Sequence, residues 1–399
     1  MLARATRSRA FLRGTLIAAT IATSAACSDA TSPVRAASAL TPTSPQLSLT
    51  GASLVDVFAD QMPGTRGDLR GLNNLGHVTG SFKTPAMDDF KAYRWTPAGL
   101  TLLSGVCCGT DFGTDINDAD VVVGTAQTNF NEGVRAFRAT GATMVNLGLL
   151  PGVSREGSSR ALAINASGQV VGSSSAELAP FGITHAVLWS PYDVIRDLGS
   201  LGGSFSIATD INAKGQVIGS STLEGDAVTH FFFWSEATGM LDISPHLNDP
   251  TNVVAINDAG QIAGTFPVSG ATHAFLWSPG SGFRDLGTLG GASSAVTGLN
   301  DKGQVVGSST LADGTLHDFL WSPASGMEDI TATTGVTGAR LLNDKLQTVT
   351  GGTDFSTGGA PRRLVQLNDG SAVSGPVARF TWSCPSLTCT FDASTSTRE

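Results

Sequence analysis

The chain has 399 residues, 48 of them glycine, and only 14% carry charge. Low charge with frequent Gly, Val, Ile and Thr argues against a helical bundle and for an all-β protein. The formal charge is −9, which argues against a nucleic-acid backbone as partner and suits a soluble, exported surface.

The first element reads as an export signal. Arg4, Arg7, Arg9 and Arg13 form a basic region, Gly14 to Ala22 is apolar, and TSAAC ends at Cys27. The apolar run is too short to span a bilayer as a mature helix. Small residues directly before a cysteine resemble a bacterial lipobox, with Ser24 standing where Leu is usual. The resemblance implies that residues 1–26 are a lipoprotein-type signal peptide and that Cys27 is the lipidated first residue. The alternative is an ordinary cleavage site near Ala26. The expected location is the outer membrane or cell surface, as a lipoprotein, or else the periplasm or the medium. Without the four signal arginines, 20 basic side chains face 33 acidic ones, a net charge of −13. Residues 27–50 are rich in Ser, Thr, Ala and Pro and read as a disordered tether.

From residue 51 to 371 the chain repeats itself. GLNNLGHVTG from Gly71 returns as DINDADVVVG, AINASGQVVG, DINAKGQVIG, AINDAGQIAG and GLNDKGQVVG, and as a worn LLNDKLQTVT from Leu341. Their asparagines are Asn73, Asn117, Asn165, Asn212, Asn257, Asn300 and Asn343, spaced 43 to 48 residues apart. A period of this size marks a repeat architecture. The fifth unit holds four β-prone runs, VVAIN, QIAGTF, HAFLW and FRDLG, bounded by turn residues. Asn257 and Asp258 suit a turn in which the side chain bonds the backbone two residues on. Gly260 supplies the positive φ of a tight hairpin.

Alternation in HAFLW puts His273, Phe275 and Trp277 on one face and Ala274 and Leu276 on the other. Both faces are apolar, so each sheet needs a neighbour on either side, and radial stacking of four-stranded sheets is a β-propeller. Trp95, Trp189, Trp234, Trp277 and Trp321 share one slot. Ala139 takes it in the second unit, which predicts looser packing there. The seventh unit offers ARLLN, QTVTG and RRLVQL but no fourth strand; SLVDVF, from Ser53, fits the missing place. The expected fold is an all-β, seven-bladed propeller of four-stranded repeats, closed by this N-terminal strand.

The turns between first and second and between third and fourth strands are short and repetitive. The second-to-third loops and the links between units are longer and varied, the pattern of a binding face on a rigid frame. On those links lie the candidate ligand-binding residues Cys107, Cys108, Arg155 and Glu156, at the mouth of the central channel. Cys107 and Cys108 occupy the slot of Gly202–Gly203 and Gly290–Gly291. In an exported protein they form a vicinal disulfide or stay two separate thiols. DINDAD, residues 115–120, lacks the calcium-loop spacing and reads as a polar turn. His185, His230, His273 and His317 recur at one repeat position. Equivalent positions on stacked sheets lie about 10 Å apart, too far to share a zinc ion. Their expected role is structural, such as bonding a neighbouring backbone. No GxSxG, HExxH, P-loop or CxxC motif occurs. No catalytic residue, metal or cofactor is therefore expected.

THAFLWSPGSGFRDLGTLGG together with AINDAGQIAG resembles the HAF-repeat family of bacterial exported proteins, over about residues 53–370. The resemblance implies a secreted or surface-attached repeat protein. The tail GPVARFTWSCPSLTCTFDASTST, from Gly375, resembles the opening strands of a PKD domain. Residues 372–399 are too few for such a sandwich, which takes about 100, so a truncated fragment is expected. Cys384 and Cys389 are expected to form a local disulfide in an oxidising compartment. The leading function is a monomeric surface module that binds a polysaccharide or a surface protein through its long-loop face, touching the membrane only by its lipid. The alternatives are an extracellular propeller glycosidase or lyase and a structural envelope protein. Several carboxylates and an arginine converging in one deep pocket would favour the enzyme.

Overall fold

A computed structural model describes residues 49–58, 65–106, 109–128, 132–176, 182–351 and 362–368, with the backbone alone at 381–383 and 390–392. All of these fall in the second of two compact units, residues 45–399. The fifth repeat shows the pattern. Its strands Asn252–Ile256, Ile262–Val268, Ala271–Ser278 and Gly282–Asp285 form one antiparallel sheet in chain order. The same order recurs in the sheets of residues 111–146 and 294–329. Thr184 and Phe205 form one parallel pair that joins the sheets of the third and fourth repeats.

Two local features repeat with the sequence. The first strand of each of repeats two to six slips register three residues before its asparagine, as between Gly113 and Asp115 and between Val296 and Gly298. The bulge turns the extra side chain toward the next sheet. Thr114 Oγ1 lies 3.1 Å from the Val123 carbonyl of its own sheet and 2.9 Å from that of Ala161 in the next. The second feature is the glycine of QIAG. A Cβ on Gly264 would stand 2.2 Å from the Asn252 carbonyl oxygen and 2.8 Å from the Phe275 ring. No side chain fits there without moving backbone.

The apolar faces are buried between sheets. One core cluster joins Ala263, Ala274 and Leu276 of the fifth repeat to Val296, Val305, Phe319 and Trp321 of the sixth. The tryptophans hold equivalent places, opposite Val78, Val170, Val217, Ile262 and Val305 on the neighbouring strand. Ala139 stands opposite Val122 in that slot. Ala139 is fully buried there. The neighbouring Arg138 spans the gap, donating to the Pro191, Gly168 and Ser190 carbonyls of the next repeat.

At the N-terminal end, Gly51–Asp56 pairs antiparallel with Arg363–Asn368, Leu54 opposite Val365, and that strand pairs with Gln347–Thr350. The folded part begins earlier than the expected tether boundary at residue 50. Leu49 is buried against Ile330 and Val336, and its amide donates to Glu328. A sequence-based all-β assignment also misses the 3-10 turn Ser244–His246 and the helical turn Ile330–Thr334, where Asp329 accepts from the Ala332 amide as an N-cap. In the tail, Thr381–Ser383 and Thr390–Asp392 pair antiparallel. The signal region, Cys27, Cys107, Cys108, Cys384 and Cys389 lie outside the described residues.

Candidate functional site: the asparagine ring and the central cavity

The recurring asparagine spends every hydrogen-bonding group it has. Asn257 Oδ1 accepts from the amides of Ala259 and Gln261, fixing the turn that Gly260 completes at φ 80°. Its Nδ2 donates to Gln261 Oε1 at 2.8 Å and to the carbonyl of Asn300, in the next repeat, at 3.0 Å. The same bond runs from Asn73 to Asn117 (2.9 Å), Asn117 to Asn165 (3.1 Å), Asn165 to Asn212 (3.0 Å) and Asn212 to Asn257 (2.9 Å). It continues from Asn300 to Asn343 (3.2 Å), and Asn343 donates to the carbonyl of Asn73 (2.9 Å).

An aspartate would serve the turn equally well but has no donor for the neighbour. That is the sequence signal for this role: all seven positions are Asn and none is Asp, and Gln follows four residues later in five of them.

A second set of bonds lies one residue on. The amides of Asn74, Ala213, Asp258 and Asp301 donate to Asp118, Asp258, Asp301 and Asp344 of the following repeat, and Asp344 donates to Asn74. Deeper, Asp115 accepts from the Ile116 and Ile164 amides, and Asp210 from those of Ile211 and Ile256. These carboxylates, with Arg70, line a central cavity of about 450 Å³ built from the first strands and asparagine turns. Burial lifts the Asp115 carboxyl to about 7 and that of Asp210 to about 6, against the pull of their two backbone amides. Arg70 pairs with Asp68 and lies over the Phe112 ring.

Arg155 and Glu156 are exposed and stand apart from this cavity. The Arg155 carbonyl accepts from Arg135, and the Glu156 amide donates to Ser154. Neither side chain lines the cavity at the asparagine turns.

The four repeated histidines correct a second expectation. Each bonds a carboxylate of its own sheet, not a neighbouring backbone: His185 with Asp197, His230 with Asp242, His273 with Asp285 and His317 with Asp329, at 2.6 to 2.9 Å. The acid of FRDLG and the histidine of HAFLW are thus one cross-strand pair. Among the described residues no three His, Cys, Asp or Glu stand where they would hold one metal ion. Among the same residues no helix is long and apolar enough to cross a membrane.

No family model matches the chain. No curated protein matches it either. Solved structures do. An oligogalacturonate lyase in complex with manganese is similar at TM-score 0.54 and 13% identity, over 82% of this chain and 96% of that one. The oligogalacturonate lyase of Vibrio parahaemolyticus aligns at TM-score 0.49 and 9% identity, over 81% and 98%. TolB from Acinetobacter baumannii aligns at TM-score 0.41 and 12% identity, and this chain spans 62% of its length. At such identities the likeness speaks for architecture alone. Four-stranded antiparallel sheets in sequence order, together with that likeness, make the described fold a β-propeller.

Proposed function

We propose that the chain is an exported binding module, a closed seven-bladed propeller of the HAF-repeat type that engages a glycan or a surface protein through its long-loop face. The observation that carries the reading is the state of the central cavity. Asp115 and Asp210 each accept two backbone amides, and Arg70 is held by Asp68. The groups that would do acid–base work are committed to holding neighbouring sheets together. Closure in seven blades is supported by the bond from Asn343 back to Asn73 and by the pairing of residues 51–56 with 363–368.

Toward the long-loop face lie exposed apolar side chains: Phe205 in strand Gly202–Ile211, Val228 between second and third strands, and Leu316 at the start of strand Leu316–Ser322. Exposed apolar groups on a rigid frame suit a binding surface. Lipidation at Cys27, a monomeric state and a PKD-like start at residues 372–399 belong to the same proposal and rest on the sequence.

The test is a glycan and polysaccharide binding screen of the mature protein. Arg155→Ala with Glu156→Ala should weaken the binding found and leave the melting temperature unchanged. Binding that follows substitutions at Asp258 or Lys302 instead would put the working face on the asparagine-turn side. Metabolic labelling with a fatty acid should mark the wild-type chain and not Cys27→Ser.

A second reading, a glycosidase or lyase, is favoured by one observation. Two buried carboxylates with raised pKa values share one cavity, and a protonated acid near neutral pH is a general-acid candidate. The acidic lining would repel a polyuronate, the substrate class in the name of the similar lyases, so neutral polysaccharides are the substrates to assay.

A further inference from the structure

At four junctions between adjacent repeats an arginine of one sheet reaches over the next. Where repeats one and two meet, Arg94 reaches the Asp120 carbonyl. Between two and three, Arg138 donates to the Gly168, Ser190 and Pro191 carbonyls. Between three and four, the Arg196 guanidinium lies 5.1 Å from the Trp234 ring, and between five and six Arg284 lies 4.7 Å from Trp321. In each case a flat cation from one sheet covers the turn or the tryptophan of the next.

Two described junctions lack it: between repeats six and seven Leu320 stands opposite Glu328, and between four and five both positions are apolar. The place of Arg196 and Arg284, opposite the residue before the tryptophan, is taken by Leu241 opposite Phe233. The place of Arg138, opposite Val123, is taken by Phe233, opposite Ile218. The result is a cavity of about 470 Å³, lined by Trp277, Phe233, Leu241, Gly260 and Pro279 among others. Gly260 and Pro279 are the counterparts of Gly168 and Pro191, whose carbonyls receive Arg138. Trp277 is only partly buried, whereas Trp95, Trp189, Trp234 and Trp321 are at most 8% exposed.

We propose that this cavity is a binding site for a flat cation, a guanidinium or amidinium group, presented by an arginine of a peptide partner. The ligand takes the place that the chain's own arginines fill at four of the other junctions. Two aromatic side chains supply the π faces that attract such a cation. The backbone around the turn supplies carbonyls like those that receive Arg138. Lys214 and His246 also line the cavity, and both side chains are exposed, so the Lys214 ammonium can extend into water.

The experiment titrates the mature protein with acetyl-Gly-Arg-Gly-amide, its citrulline analogue, benzamidine and benzoate, following the indole N–H signal of Trp277 by NMR. The arginine peptide should bind at least tenfold more tightly than the uncharged citrulline peptide. Benzamidine should likewise exceed benzoate tenfold. Leu241→Arg restores the arginine of the sister junctions, so it should abolish binding while keeping the far-ultraviolet spectrum. Lys214→Ala should leave the peptide affinity unchanged or raise it. If Leu241→Arg does not fold, Trp277→Leu serves as the loss-of-site variant, with at least a tenfold loss expected. Tighter binding of benzamidine than of the peptide would contradict the peptide source. Benzoate binding best, undiminished binding by the site variants, or no shift with any of the four would overturn the site.

Discussion

Asn257 shows what one side chain must do here. Its carboxamide oxygen holds the turn, and its nitrogen holds the next repeat. Asn257→Asp keeps the first role and loses the second, leaving Gln261 Oε1 without this donor and the Asn300 carbonyl with the Gly303 amide alone. The expected cost is about 1–3 kcal/mol, read from the urea midpoint, because the link to the next repeat is lost and an acceptor goes unpaired. Asp258→Ala removes one bond at an exposed position and should cost less than about 1 kcal/mol.

Asp115 makes a pH prediction. Its folded pKa of about 7 lies above the ordinary carboxylate value, because burial penalises the charge. The folded state therefore holds its proton more tightly than the unfolded chain does. Stability from this group is full below about pH 4 and is lost as pH rises toward 7. Asp210, at about 6, adds the same sign over a narrower range. Asp115→Ala, the residue found at the equivalent Ala163 and Ala255, should flatten the stability profile between pH 4 and 8. An equally steep profile in the variant would show that Asp115 is not the titrating group.

At the scale of the element, the repeat is a hairpin pair whose two special positions answer to geometry. Gly264→Ala drives a methyl into the Asn252 carbonyl and should cost about 1–3 kcal/mol. A melting temperature equal to wild type would mean that the bulged strand yields more easily than its bonding suggests. Much of this level is legible in the sequence. Alternation in HAFLW places Phe275 and Trp277 on one face, and the register of Ile262 with Trp277 agrees. The turn glycine is legible too, because only a positive φ closes so short a hairpin.

What escapes is whatever depends on the next sheet. The donor role of Asn257 and the bulge that aims Thr114 involve residues more than 40 positions away, and periodicity within one unit carries no such information. The histidines illustrate the limit. Their recurrence marks a structural role, while the partner, an aspartate 12 residues on, follows only from strand pairing. The candidate site is less legible still. Loop variability points to Arg155 and Glu156, whereas the cavity at the asparagine turns is lined by residues of the regular motif.

For the whole molecule, stability is shared between neighbours. Each apolar face is buried only because another sheet covers it, so a ring of such sheets has no end to cap, whereas an open array needs one. On the proposed closed reading, Leu49 to Val57 is the clasp: it supplies the outer strand beside residues 363–368 and fills the core with Leu49 and Val57. Removing it bares the edge of a hydrophobic sheet and leaves the first and last repeats joined by the bonds of Asn343, Asp344, Arg340 and Arg362 and by a core that has lost Val57. The measurement that tests this most directly is the thermal unfolding of the mature protein with and without residues 49–57. A closed ring predicts a fall of roughly 5–10 °C or more, with a broader transition as cooperativity is lost. An unchanged melting temperature and an equally sharp transition would contradict closure.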